Sequence, residues 1–158
     1  VYKRQGINMV VRDIMTTDVK TTRPDTAVKE IASIMCLKKI SGVPVVDENE
    51  RLVGILSEKD ILHYMFPDIG DIMSEGGEAR DFEKLEGNYQ DAMNRKVGDL
   101  MTTTVETVSA DIPVLRAASM MWLKKIRRIP VTEGDKLLGI ISIGDVHKAI
   151  FQANLVNN

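Results

Sequence analysis

The sequence has few of the residues that catalytic, metal-binding and nucleic-acid-binding proteins depend on. One cysteine, Cys36, and two histidines, His63 and His147, occur in 158 residues. A single cysteine cannot form an internal disulfide, and these three residues fall short of the four ligands of a structural zinc site. Aromatic residues make up only 4%, which disfavours a surface that stacks bases. No apolar run approaches the roughly 20 residues of a membrane helix, so we expect a cytoplasmic protein with no membrane or nucleic-acid partner.

The charge is small overall but unevenly distributed. The net charge of −2 gives no general attraction to nucleic acid or acidic lipid. Residues 68–91 hold eight acids and two bases, a local charge of −6 that leaves +4 on the rest of the chain. No Ser-His-Asp order and no paired-acid pattern stands out, so we predict that the chain is not an enzyme and has no catalytic residue.

An internal duplication organises the sequence. The segment Asp13–Thr17 (DIMTT) recurs as Asp99–Thr103 (DLMTT), and Leu52–Ser57 recurs as Leu137–Ser142. From 13 to 60, 22 of 48 positions are identical to the second copy. Unrelated segments of ordinary composition would share about 3. The duplication predicts one fold unit present twice.

Each copy predicts the element order β-α-β-β-α. The first strands are expected at Val19–Thr21 and Val105–Thr107, and Cys36 is expected as a small core residue. One such unit leaves its sheet partly uncovered, so the two copies are predicted to pack about a pseudo-twofold axis in an α/β (α+β) fold. The helical core positions expected from spacing are Val28, Ile31, Ala32, Ile34, Met35 and Leu37, and in the second copy Val114, Ala117, Ala118, Met121 and Leu123.

An acidic, glycine-containing connector separates the copies. We place the first repeat at 10–62, the connector at 63–95 and the second repeat at 96–153. Apolar residues from Phe82 to Met93 recur at three or four positions, which predicts a helix over part of 79–94. Two interpretations stay open, a solvated linker and a lid or partner-docking segment.

A Ser-x-x-Asp segment follows the last strand of each copy. It comprises Ser57 and Asp60 in the first copy, and Ser142 and Asp145 in the second. In one interpretation the serine and the acid form a capping box at a helix start. In the other interpretation, the carboxylate accepts a hydrogen bond from each of the two hydroxyls of a ribose, as a carboxylate does in dinucleotide-binding folds.

The repeated motifs resemble a known family. The segments GILSEKD (54–60) and GIISIGD (139–145), the Asp-hydrophobic-Met-Thr openings and the Pro-Val strands are similar to the CBS domain, which occurs in tandem as a Bateman module. The resemblance covers about 10–62 and 96–150. It implies a regulatory module that forms a dimer, binds AMP, ADP or ATP between its repeats and uses no cofactor. S-adenosylmethionine is a possible substitute ligand.

The resemblance also implies particular site residues. It assigns ribose contacts to the two Ser-x-x-Asp segments and phosphate contacts to Arg127 and Arg128. By the resemblance, Arg127 and Arg128 reach across the pseudo-twofold axis to the Asp60 site, whereas the Asp145 site receives the matching uncharged residues Ser41 and Gly42. The Asp60 site is therefore expected to bind a phosphorylated ligand better. The adenine-contacting residues implied by the resemblance are Thr21, Thr22, Pro24, Val43, Pro44 and Val45, and in the second copy Thr107, Ile129, Pro130 and Val131.

Two other functions remain compatible with the sequence. The chain could be a ligand-free module for dimerisation or protein interaction. It could also be the regulatory fragment of a larger enzyme or transporter. Trp122, which aligns with Cys36, is expected to be buried or to anchor an interface.

Overall fold

The computed structural model describes residues 8–66 and 79–156, with the backbone alone at 79–81 and 156. Expectations about residues 67–78 lie outside this range. No helix in these two stretches is long and apolar enough to cross a membrane. The elements in chain order are α1 Val11–Ile14, α2 Val28–Lys38, β1 Gly42–Val46, β2 Leu52–Ser57, α3 Glu58–Met65, α4 Ala79–Met93, α5 Val97–Leu100, β3 Val108–Ser109, α6 Val114–Lys124, β4 Arg128–Glu133, β5 Lys136–Ser142 and α7 Ile143–Val156.

The chain forms two compact units, each with a mixed α and β composition as predicted. The Asp60 unit comprises 20–48 and 53–105. The Asp145 unit comprises, within the described residues, 8–19, 49–52 and 106–156. Each unit therefore contains a sequence segment from both repeats.

The repeats exchange their opening segments. Thr16, from the opening of the first repeat, bonds through its backbone N–H and C=O to Ile140 on β5, at 2.8 and 2.9 Å. Thr102, from the opening of the second repeat, makes the same pair of bonds to Ile55 on β2, both at 2.9 Å. Val11 is fully buried in the Asp145 unit and Val97 in the Asp60 unit. The opening segment of each repeat thus completes the core of the unit that holds the body of the other.

The sheets are small. Strands β1 and β2 form one sheet, and β3, β4 and β5 form the other, with β3 parallel to β4 through Val108 opposite Val131. The first copy has the same parallel pairing as a single bridge, Thr22 opposite Val45. The predicted strands at 19–21 and 105–107 are therefore wrong by about three residues. The prediction used only the alternation of apolar and polar residues along the sequence. The position of a strand also depends on the register of its partner strand, which the sequence does not show.

Each unit has its own apolar core. In the Asp60 unit, α2 and α5 pack on the strands β1 and β2. In the Asp145 unit, α1, α6 and α7 pack on β3, β4 and β5. The buried residues are Val28, Ile31, Met35, Val43, Val45, Leu56, Ile61 and Val97 in the first core, and Val11, Val108, Ala110, Val114, Ala117, Met121, Ile129, Val131, Ile141 and Val146 in the second.

Three residues at the ends of α2 and α6 are exposed although they were expected in the core. Leu37 is 80% exposed and Leu123 is 77% exposed. Cys36 is also exposed, so it is not a core filler. Leu37 lies two residues beyond the buried Met35, about 200° further around the helix, so it points away from the core. Trp122 is 80% exposed, which removes the buried alternative for this residue and leaves the interface anchor.

Helix α4 of the connector packs on α3 within the Asp60 unit. Leu85 and Ala92 on α4 are buried. At the surface the Tyr64 hydroxyl donates to the Asp91 carboxylate, and Arg95 pairs with the same carboxylate at 3.5 Å and lies 5.9 Å from the Tyr64 ring centroid. The hydrogen bond to Asp91 raises the pKa of Tyr64 and lowers the pKa of Asp91. Part of the connector is thus held to the helix that begins at the Ser57 cap.

Candidate functional site

The Ser57–Asp60 segment forms a capping box at the start of α3. The Ser57 N–H donates to Asp60 Oδ2 at 2.8 Å, and the Asp60 N–H donates to Ser57 Oγ at 3.3 Å. The Ser57 hydroxyl also lies 3.0 Å from Asp60 Oδ2. One carboxylate oxygen is therefore committed to the helix cap.

The same cap forms at the start of α7. The Ser142 N–H donates to Asp145 Oδ2 at 2.9 Å, and the Asp145 N–H donates to Ser142 Oγ at 3.0 Å. The capping interpretation is confirmed at both positions. It does not exclude ligand binding, because a carboxylate fixed through one oxygen still presents the other.

The hydrogen bonding of the second carboxylate oxygen, Oδ1, differs between Asp60 and Asp145. The Thr102 hydroxyl donates to Asp60 Oδ1 at 2.7 Å. No corresponding hydrogen bond reaches Asp145 Oδ1 from residues 8–66 or 79–156, although the aligned Thr16 belongs to the same unit. Sequence reasoning missed Thr102. It lies in the repeated Met-Thr-Thr motif, but that motif was assigned to the start of the second repeat rather than to the Asp60 site.

A pocket of about 890 Å³ lies in the Asp145 unit. One wall is a single face of α7, and the other is the opening segment of the first repeat. Apolar side chains on both elements complete the lining. The polar residues that line it are Asp145, Lys148 and Gln152 on α7, and Asn8, Asp13 and Thr16 on the opening segment.

Thr22 is buried, and its backbone groups form hydrogen bonds whereas its side-chain hydroxyl forms none within the described residues. Its N–H donates to the Pro44 carbonyl at 3.0 Å, and its carbonyl accepts from the Val46 N–H at 2.9 Å. Only 6% of the residue is exposed, and its hydroxyl has no hydrogen-bond partner in the described part of the chain. An unpartnered buried hydroxyl is uncommon and calls for a reason. Its neighbours Thr21 and Pro24 are half-buried.

The apolar residues proposed as adenine walls belong to the two sheets. All of them are buried, and Val43, Val45, Ile129 and Val131 belong to the apolar cores of their own units. Contact of these side chains with a ligand stays a prediction. The set comprises Val43, Pro44 and Val45 on β1, and Ile129, Pro130 and Val131 on β4.

The proposed phosphate donors lie at the start of β4 in the Asp145 unit. Arg127 and Arg128 are both exposed. The Arg127 carbonyl accepts from the N–H of Ile143 at 2.9 Å, and Arg128 is paired with Ser142 in the sheet. Thr107, just before β3, is exposed as well. The assignment of both arginines to phosphate rests on the resemblance and stays a prediction.

Among the described residues, no group of three or more His, Cys, Asp or Glu side chains is arranged to hold a metal ion. His63 and His147 are exposed. The His147 ring lies near that of Phe151, at 6.4 Å between centroids.

Similarity to known proteins extends over both repeats. The chain is 31% identical over 157 residues to CBSX2 of Arabidopsis thaliana, a CBS domain-containing protein described as chloroplastic, covering 90% of this chain and 63% of that protein. It thus spans somewhat less than two thirds of this relative. A crystal structure of CBSX2 in complex with AMP superposes with a TM-score of 0.69 at 29% identity, covering 90% of this chain and 96% of that one.

Some relatives are much longer. Inosine-5'-monophosphate dehydrogenase of Aquifex aeolicus is 33% identical over 129 residues, which cover 81% of this chain but only 22% of that enzyme. The sequence profile of the CBS domain matches this chain twice, at residues 11–67 and 97–152. The two matches coincide with the two copies of the duplication, and the chain therefore belongs to the CBS domain family.

Proposed function

We propose that the chain is a regulatory module that binds an adenine nucleotide, AMP, ADP or ATP. The observation that carries the proposal is the Asp145 carboxylate, which is fixed through one oxygen by the helix cap and lines a pocket of about 890 Å³. The volume is in the range of small-ligand pockets. A relative at 29% identity was solved with AMP, and this supports the choice of ligand.

The chemistry of the cap suits a ribose. A carboxylate that accepts one hydrogen bond from a backbone N–H keeps further lone pairs that accept hydrogen bonds from hydroxyl groups. A ribose presents two adjacent hydroxyls, so it matches such an acceptor as it does in dinucleotide-binding folds. S-adenosylmethionine carries the same ribose but no phosphate, which makes it the substitute that Arg127 and Arg128 would disfavour.

Binding is proposed to regulate rather than to catalyse. A ligand shifts an equilibrium between two arrangements only if it binds them with different affinities. The pocket of the Asp145 unit is lined by the opening segment of the first repeat and by α7 of the second, so a ligand bound there would contact parts of the chain that are distant in sequence. Incubation with AMP or ATP is expected to leave the nucleotide intact. Turnover that a single substitution abolishes would contradict this part of the proposal.

A thermal-shift panel of AMP, ADP, ATP, S-adenosylmethionine and NAD tests the proposal. A ligand present at a hundred times its Kd stabilises the native state by about 2.7 kcal/mol, which for a chain of this size raises Tm by about 5–10 °C. The matched control is the double variant Asp60→Asn, Asp145→Asn, since asparagine retains a cap acceptor without the charge. No shift with any adenine nucleotide would refute the proposal.

We propose further that the protein self-associates through the end of α6. Trp122 and Leu123 are 80% and 77% exposed, and large aromatic residues are frequent anchors of interfaces. Sedimentation equilibrium of the wild type and of Trp122→Ser provides the test. A monomeric wild-type protein would contradict the proposal, whereas a dimer that Trp122→Ser dissociates would support it. Dimerisation without any nucleotide response would favour the ligand-free interaction module.

A further inference from the structure

We infer that the two candidate sites are unequal, that the Asp145 pocket fills first, and that Lys148 gives this pocket its preference for a phosphorylated ligand. The inference rests on the proposed nucleotide-binding function and deepens it. It points in the opposite direction to the expectation from the resemblance, in which Arg127 and Arg128 favoured the Asp60 site. Three observations support it.

The first observation is the state of the two carboxylates. Asp60 Oδ2 interacts with the Ser57 N–H and hydroxyl, and Asp60 Oδ1 accepts from the Thr102 hydroxyl at 2.7 Å. Both oxygens of Asp60 therefore have donors from the protein. Asp145 has one donor among the described residues, the N–H of Ser142 on Oδ2. A ribose hydroxyl can bond to Asp145 Oδ1 without displacing a protein group.

The second observation is the cost that Thr102 imposes at the other site. A diol needs two acceptor positions, and the carboxylate of Asp60 already serves three protein donors out of about four lone-pair positions. The ligand must therefore displace one of these donors, such as the Thr102 hydroxyl, and a hydrogen bond to a charged group is among the stronger ones in proteins. We expect the Asp60 site to be weaker by about tenfold or more for this reason.

The third observation is the charge that lines the Asp145 pocket. Lys148 lies one turn beyond Asp145 on the same face of α7, and Gln152 lies one turn further. Lys148 is exposed, and no ion pair joins it to any residue in the described ranges. A phosphate that extends from a ribose held at Asp145 would meet its ammonium group. The aligned residue on α3 of the Asp60 unit is His63.

Two other charged side chains near this pocket, those of Asp13 and Arg12, already interact with protein groups. The Asp13 carboxylate accepts from the N–H of Val10 at 3.0 Å. Arg12, the neighbouring cation, pairs with Asp111 at 3.3 Å. Lys148 is therefore the lining residue whose positive charge is available to a ligand anion.

Calorimetric titration of the full chain with AMP and with adenosine tests the inference. Lys148→Met is expected to weaken AMP binding about fivefold, as for an exposed ion pair, and adenosine binding by less than about twofold, because adenosine lacks the phosphate. Arg116→Met is the control, since it removes the same charge from α6 of the same unit, away from the pocket. It should change neither affinity.

A second pair of variants tests the order of filling. Asp145→Asn and Asp60→Asn both retain an oxygen for the cap, so both should remain folded. Asp145→Asn is expected to remove the tighter binding event and Asp60→Asn the weaker one. If Asp60→Asn costs more AMP affinity, or if Lys148→Met weakens AMP and adenosine equally or neither, the inference is overturned while the proposed function stands. If the wild type binds no AMP, the proposed function fails and the inference fails with it.

Discussion

Replacement of Gly139 by alanine probes the contact on which the Asp145 unit depends. A Cβ atom at Gly139 would lie 2.5 Å from the carbonyl oxygen of Thr16 and 3.3 Å from the sulfur of Met15. The closer neighbour is backbone and cannot rotate away. It belongs to the residue that makes two hydrogen bonds to Ile140, so the opening segment must shift and strain both bonds.

The expected cost follows from these contacts. Overpacking of a well-packed site costs about 1–3 kcal/mol, and weakening of two backbone hydrogen bonds adds up to about 1 kcal/mol each. We therefore predict that Gly139→Ala lowers the free energy of unfolding by about 2–4 kcal/mol and Tm by about 5–15 °C. Since Asp13 and Thr16 lie on the displaced segment and line the pocket, AMP affinity should fall as well.

Alanine substitutions at two other glycines, Gly54 and Gly87, serve as comparisons for the stability cost of Gly139→Ala. At Gly54, in the Asp60 unit, a Cβ would lie 2.8 Å from the flexible Met101 side chain and 2.9 Å from the Thr102 carbonyl, so Gly54→Ala should cost less, about 1–2 kcal/mol. At Gly87, on α4, no atom lies within 4 Å of the added Cβ. Gly87→Ala should stabilise the protein by up to about 1 kcal/mol, because alanine favours the helix.

Urea denaturation followed by circular dichroism measures all three variants under the same conditions. The order of stability should be Gly87→Ala, wild type, Gly54→Ala and Gly139→Ala, from highest to lowest. A Gly139→Ala protein as stable as the wild type would refute the argument that the opening segment is docked tightly on β5. A Gly87→Ala protein less stable than Gly139→Ala would do the same.

Three further predictions concern the Asp60 unit. Thr22→Val, which copies the valine of the second repeat, should raise the free energy of unfolding by about 1 kcal/mol because an unpartnered hydroxyl is removed; loss of stability without ligand would contradict this, and weaker AMP binding would show that the ligand uses the hydroxyl. Tyr64→Phe should destabilise the protein at neutral pH, because the bond to Asp91 is lost. Because that bond lowers the pKa of Asp91 and raises the pKa of Tyr64 from their ordinary values, its contribution should be complete at neutral pH. It should be lost as pH falls through the lowered pKa of Asp91 or rises through the raised pKa of Tyr64, so a stability difference between the two proteins that stays constant at acid and alkaline pH would contradict this. Residues 1–62 alone should not fold to a monomer, because Val97 completes their core; a cooperative monomeric melt would contradict this.

The features that were predictable from sequence are local or repeated. The duplication, the order of elements and both helix caps follow from motifs in which the interacting residues are three apart or recur at a constant offset. Ser57 and Asp60 form their cap within one turn of helix, so no knowledge of the distant chain is needed. The same holds for Ser142 and Asp145.

The features that were missed depend on partners distant in sequence. Thr102 reaches Asp60 across 42 residues, and nothing in the spacing of either motif indicates that pairing. Leu37 and Leu123 were misplaced because an apolar side chain near a helix end was counted with the core face. Both helices end in a residue with positive φ, Lys39 at 55° and Lys125 at 57°, and this left-handed ending fixes how far the buried face extends.

The exchange of opening segments gives a physical route from ligand to response. In the Asp145 unit the pocket has one wall on α7 and the other on the opening segment, which is held to β5 through Thr16 and Ile140. A ligand that contacts both walls binds more tightly when the segment is docked than when it is not, and by linkage it stabilises the docked state by the same factor. In the Asp60 unit the Thr102 hydroxyl already makes the equivalent bond. The two units would then respond differently to the same nucleotide, one by closing on it and the other by exchanging an internal donor for it.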